Sequence, residues 1–155
     1  MFKNSLTLLS TILLFACSTN DSDKLLSQED THASRASQVI DVSNARAIQS
    51  LPPHSKSVAF MKIYNEGLED VILVGVKANR SEIGELYIAS GEKNRLGASR
   101  MDSLVIPAES SLTLESDSSY LNFFILDRAW RKGEKVELTL LFAKHPEYRL
   151  EVEIQ

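Results

Sequence analysis

Few side chains in this chain could bind a soft metal ion or act as a nucleophile. They are one cysteine, Cys17, three histidines, His32, His54 and His145, and three methionines, Met1, Met61 and Met101. Thioether, thiolate and imidazole donors suit soft metal ions, and a site for one needs several of them brought together. Met1 lies in an N-terminal leader. Met61 sits inside the apolar run VAFMKIYN and is expected in the core. Met101 borders a polar segment and is the best single candidate ligand, but one thioether does not make a site. His54 and His145 each stand beside a proline in a turn, where solvent exposure is expected, and His32 lies in a polar segment.

Catalysis finds less support still. No histidine lies near a serine or a paired carboxylate in any recognisable motif, so neither a nucleophile–base pair nor a hydrolytic metal site can be assembled. Gly91, Gly97 and their neighbours do not form a phosphate loop. The chain is therefore read as a non-enzyme. A net charge of −4 argues against nucleic acid, which requires a clustered basic face. The one basic cluster, Arg128, Arg131, Lys132 and Lys135, is interrupted by Glu134 at a turn. It reads as a solvated hairpin end, with anionic headgroups or an acidic partner as the sharper alternative.

The elements that would position these residues are strands. Val39–Gln49 reads as a first strand or strand pair, and Leu51-Pro52-Pro53-His54 as a rigid turn. Val58–Asn65 is the next strand. Val71–Val76, VILVGV, is apolar throughout and is expected to be buried on both faces, with Gly75 marking a bulge or a close backbone approach. Glu82–Ala89 is another strand, followed by a polar loop from Ser90 to Arg100. From Ile106 to Phe142 the sequence alternates apolar runs with turns: Leu112–Leu114, Tyr120–Leu126 and Lys135–Phe142, separated at Asp117–Ser119 and Arg131–Glu134. These three read as an antiparallel meander. Tyr148–Gln155 alternates cleanly, so a one-residue slip would bury three charges. The chain is thus expected to be an all-β, Greek-key sandwich of about seven to nine strands.

This layout resembles the periplasmic copper chaperones of the PCu(A)C type, whose fold is a cupredoxin-like β-sandwich. The resemblance rests on Asn44-Ala45-Arg46-Ala47, on VAFMKIYN, and on Ile106-Pro107-Ala108 followed by Leu112-Thr113-Leu114. It continues through Tyr120, Lys132-Gly133-Glu134 and Leu138–Phe142, covering about Asn44 to Phe142. It implies a copper site, yet the ligands are replaced. Tyr87 stands where the family has the His of an E-x-x-L-H stretch, and the family's next ligand, a Met, falls on Ala98. Counted from Pro107 without gaps, the His and Met of G-Y-H-x-M fall on Tyr120 and Asn122; with a one-residue shift they fall on Leu121 and Phe123. Neither register supplies a metal ligand. Met101 reaches a ligand position only if its loop is re-registered.

The N-terminus has a secretory form. Lys3 precedes the apolar run Leu6–Ala16, too short for the about 20 residues that span a bilayer. Leu14-Phe15-Ala16-Cys17 resembles a lipobox, so residues 1–16 read as a lipoprotein signal peptide and Cys17 as the lipidated residue. Its being the only cysteine fits, because a free thiol in an oxidising compartment is a liability. Residues 17–38 are polar and small, hence a flexible tether with a typical reach of roughly 25 Å. Residues 39–155 form the domain. Ser18 after the cysteine favours the outer over the inner membrane.

Two functions follow. One is copper handling or delivery by a lipid-anchored periplasmic protein with a degenerate Cu(I) site. The other is a non-metal binding or assembly lipoprotein that uses the sandwich surface for a protein partner.

Overall fold

Alternating apolar and polar residues drive the described residues into ten strands. They are β1 Ile40–Ala47, β2 Lys56–Asn65, β3 Val71–Ala78, β4 Ser81–Ser90, β5 Gly97–Met101, β6 Leu104–Ile106, β7 Ser110–Leu114, β8 Ser119–Leu126, β9 Lys135–Phe142 and β10 Tyr148–Ile154. The structure is a computed structural model and describes residues 39–51, 53, 55–90 and 97–155. The leader, Cys17, the tether with His32, and His54 lie outside the described residues.

The strands hydrogen-bond in the order β5-β4-β8-β7-β2-β1-β10-β9-β3-β6, and a β3–β4 pairing closes eight of them into a barrel-like sandwich. The all-β expectation holds, with more strands than the expected seven to nine. The extra ones are short: β5 takes up Gly97–Arg100, read above as loop, and β6 pairs three residues of β3, Val71 to Leu73. The core is one apolar cluster in which Ile63, Leu73, Leu121, Phe123, Leu138, Leu140 and Ile154 are fully buried. Met61 is buried among them, as its apolar run implies.

The expected meander is not formed. The ten-residue β2 holds both β7 and β8 along one side, Met61–Asn65 against β7 and Lys56–Ala59 against β8, each antiparallel. The two therefore run in the same direction and meet only at Leu114–Ser119. Glu115–Ser118 is a jog in a continuing chain, not a reversal, and it swings β8 onto β4. β9 lies elsewhere, between β3 and β10. Turn residues report that a ladder is interrupted; they do not report which strand resumes it.

β3 corrects a second expectation. It is not buried on both faces: Leu73 is fully buried, whereas Ile72 is 37% and Val74 43% exposed. A closed sheet has one inside, so even an all-apolar strand must turn half its side chains outward. Leu73→Ala should cost about 2–5 kcal/mol, the usual range for emptying a buried leucine site. Val74→Ala should stay within about 0.5–1 kcal/mol, as outward-facing substitutions do. Urea unfolding of the two variants measures the contrast; equal losses would mean that β3 is covered on both sides. Gly75 does mark a bulge, since the β3–β9 register shifts between Leu73 and Gly75. The close approach falls at Gly84, where a Cβ would sit 2.4 Å from the Val76 carbonyl oxygen. That glycine lets β4 cross over β3.

Two polar side chains tie the ends together. Asn65 is buried at the end of β2, and its Nδ2 donates to the carbonyls of Glu69, Ile106 and Pro107 at 2.8, 3.0 and 3.1 Å. Its Oδ1 accepts from the Gly67 amide at 3.0 Å, so one side chain holds the Ile106-Pro107-Ala108 turn against the β2–β3 connection. At the other end Arg80 is buried. It donates through Nη1 to Glu134 at 2.9 Å and through Nη2 to the Ala129 carbonyl at 3.2 Å, with Asp127 3.7 Å from its Nε. The Arg80 hydrogen bond holds the Glu134 carboxyl below its ordinary range against some desolvation. The basic cluster of Arg128, Arg131, Lys132 and Lys135 is on the surface. Arg128, Arg131 and Lys132 are exposed, and Lys135 pairs with Glu151.

Candidate functional site

Strand register brings together three of the four positions at which the resemblance expects ligands. On one face of adjacent β4 and β8, Tyr87 lies opposite Tyr120 and Glu85 opposite Asn122. The rings of Tyr87 and Tyr120 stack with centroids 5.8 Å apart, and Phe124 tilts against Tyr87 at 6.3 Å. On β5, Arg100 lies directly opposite Tyr87, and Ala98 lies opposite Ala89. Ala98 thus shares the face but stands two residues from Tyr87 in the direction away from Asn122. The separation of Ala98 and Asn122 along the strands is four residues, roughly 14 Å. Arg100 is the β5 position that faces the cluster directly.

The alternative register is closed off by packing. Leu121 and Phe123 point the other way and are fully buried. Met101 also lies on the core side. It pairs with Leu86, which is buried, and packs half-buried against the core cluster. Tyr87, Tyr120 and Asn122 face the other side of the same sheet. His145 is half-buried in the β9–β10 connection, and β3 separates β9 from β4.

What the face can do follows from its donors. The Tyr87 hydroxyl donates to Glu85 Oε2 at 3.2 Å, and Arg100 Nε lies 3.2 Å from Glu85 Oε1. Desolvation, then the hydrogen bond and charge of Glu85, raise the Tyr87 pKa, so the phenol stays a neutral donor through the physiological range. Phenol, carboxylate, guanidinium and amide are hard groups, a poor match for Cu(I). Among the described residues, no group of three or more His, Cys, Asp or Glu could hold a metal ion.

A groove of about 470 Å³ adjoins the stacked tyrosines. Its floor is Val58 with Tyr120 and Asn122, its wall Ile48 and Leu51, and its rim Lys56. The sequence did not disclose it, because the wall comes from Ile48 and Leu51, which flank a segment that reads only as a rigid connection. The wall is tied down on several sides. The Ile48 amide donates to Val58, Gln49 to Gln155, and Ser50 to Trp130, at 2.9, 2.9 and 3.0 Å. Ser57 Oγ donates to the Ile48 carbonyl. The Ile125 amide donates to Ser55 at 2.9 Å with Ile125 at a φ of 52°, a conformation that a β-branched residue adopts only under constraint.

The closed sandwich is the fold of the PCuAC copper-chaperone domains. It matches the copper-bound PCuAC domain from PmoF2 with a TM-score of 0.65 at 20% identity, over 76% of this chain and 92% of that one. The apo PCuAC domain from PmoF1 gives 0.64 at 17% identity over 76% and 93%. The Cu(I) form of DR1885 from Deinococcus radiodurans gives 0.60 at 21% identity over 81% and 85%. The chain itself belongs to the LpqE-like lipoprotein family, whose model matches residues 40–154. No curated protein matches it.

Proposed function

We propose that this chain is an envelope lipoprotein on the copper-chaperone scaffold in which the Cu(I) site is degenerate and the former ligand face serves as a binding face. The observation that carries it is the Tyr87–Tyr120 stack, beside Asn122, at the positions where the resemblance to the PCu(A)C chaperones expects soft ligands. Such a face suits a polar or aromatic ligand or a protein partner in the envelope. The family description supports the lipoprotein part. Cys17 is the residue we assign to lipidation, residues 17–38 the tether, and the outer membrane the anchoring site.

A second reading keeps copper as cargo through a rearranged, weaker site that includes Met101, and the fold it shares with a copper-bound PCuAC domain favours it. Against it, Met101 lies on the core side of its strand. One titration separates the two. The purified protein should lose Cu(I) to a competing chelator of modest affinity. Stoichiometric, tight retention that Met101→Leu abolishes would establish the second reading instead. For the anchor, Cys17→Ser should leave an uncleaved precursor without palmitate label in cells, and equal labelling of wild type and variant would refute the assignment.

A further inference from the structure

We infer that the groove beside the tyrosine stack binds a small amphipathic organic anion carrying an N–H donor. The inference deepens the reading of this face as a binding face and rests on it. Three features define the class. The first is shape: about 470 Å³ lies within the range of small-molecule sites, and the Ile48–Ser50 side of it is held in place by backbone hydrogen bonds to β2, Trp130 and Gln155. It is therefore largely formed before a ligand arrives, which lowers the ordering cost of binding.

The second feature is charge. Lys56 is exposed at the rim, and among the described residues it has no ion-pair partner. No carboxylate is among the described residues lining the groove. The nearest acid on that face, Glu85, is engaged by Arg100 and Tyr87. A carboxylate or sulfonate at Lys56 meets attraction and no opposing negative charge.

The third feature is an unmet hydrogen bond. Asn122 lines the groove, and its Oδ1 is buried without a hydrogen-bond partner. A buried carbonyl oxygen left unpaired is costly, and a turn of the Asn122 amide that presents it to a ligand N–H in the groove removes the cost. Between these two polar points lie Ile48, Leu51, Val58 and the Tyr120 ring, with Leu51 72% exposed. An apolar or aromatic body spans them and covers surface now open to water.

Indole-3-acetate has the three parts in one water-soluble molecule: a ring N–H, a flat apolar body and a carboxylate. Equilibrium dialysis against the full chain purified in detergent should show one saturable site, with a dissociation constant at or below about 1 mM for a ligand of this size. Lys56→Glu should weaken binding at least about tenfold, while Lys135→Glu, on the Glu151 ion pair, should leave it unchanged. 1-Methylindole-3-acetate, which lacks the N–H, should bind wild type several-fold more weakly than the parent. It should bind Asn122→Ala no more weakly than the parent does, since the interaction is then already gone. Both substituted positions lie off the core, and circular dichroism of each variant checks the fold. No saturable site, or binding indifferent to Lys56→Glu, overturns the inference. Copper retention is measured in parallel. Weak retention with no groove binding sinks the groove alone. Tight Cu(I) that leaves Lys56-dependent binding in place sinks the degenerate-site reading and keeps the groove.

Discussion

Replacing Tyr87→His, Arg100→Met, Tyr120→His and Asn122→Met together should raise Cu(I) affinity by at least about a thousandfold, close to 4 kcal/mol. The register is the reason. Tyr87 faces Tyr120 across one strand gap and Arg100 across the other, and Asn122 is the diagonal neighbour. Directly opposed residues have Cβ atoms about 4.5–5.5 Å apart and diagonal ones about 7–8 Å, so two imidazoles and two thioethers can converge above β4. Soft donors at those four positions would replace a phenol pair, a guanidinium and an amide. Ala98→Met in place of Arg100→Met should gain much less, because Ala98 and Asn122 lie on opposite sides of the Tyr87 level. Competition with a chromophoric Cu(I) chelator ranks the two variants. An Ala98→Met variant that binds as tightly as the Arg100→Met one would show that β5 slides by two residues when metal binds. Parity of both with wild type would remove this face of β4, β5 and β8 from consideration as a metal site.

The second large effect lies in the core. Trp130→Ala should lower stability by about 3–5 kcal/mol, a large part of the 5–15 kcal/mol typical of a domain. Trp130 is among the largest fully buried side chains and packs against Phe123 with ring centroids 5.3 Å apart. Its backbone is tied to Ser50 in both directions: the Trp130 amide donates to Ser50 Oγ at 2.9 Å, and its carbonyl accepts from the Ser50 amide at 3.0 Å. Losing the ring loosens the wall of the groove as well as the core. Trp130→Phe should be far milder than removing the ring. The indole Nε1 is buried without a hydrogen-bond partner, so deleting that polar atom offsets part of the lost volume. Urea unfolding of the two variants tests this, and a Phe variant as unstable as the Ala variant would mean that the indole nitrogen has a partner in solution.

The residues that were legible in the sequence are those whose information is local. Alternation in Tyr148–Ile154 set its register, and Val152 and Ile154 are buried as it required. The Arg131–Glu134 turn could be read from Gly133, which takes a φ of 83°, and Met61 from the apolar run around it. Asn65 closes a strand whose resemblance to a family pattern was visible. That its amide holds the Ile106-Pro107 turn was not, since 41 residues separate the partners.

Long-range partnering decided the rest. The order of residues from Ile106 to Phe142 suggests a meander, yet β2 is long enough to bind β7 and β8 end to end, and that length overrides the turn between them. An apolar run such as Val71–Val76 cannot say that it will sit in a closed sheet with only one inside. Nor can the spacing from Tyr87 to Ala98 reveal that Arg100 is the β5 residue opposite Tyr87, or that Met101 turns into the core, because a shift of one residue exchanges the faces of a strand. Sequence by itself determined the strand-forming segments, the absence of soft donors at the expected ligand positions and the identity of the residues there. Only the tertiary structure decided which of them share a face and that a groove opens beside them. Those facts depend on hydrogen-bond register between segments far apart in the chain, and no local pattern encodes it.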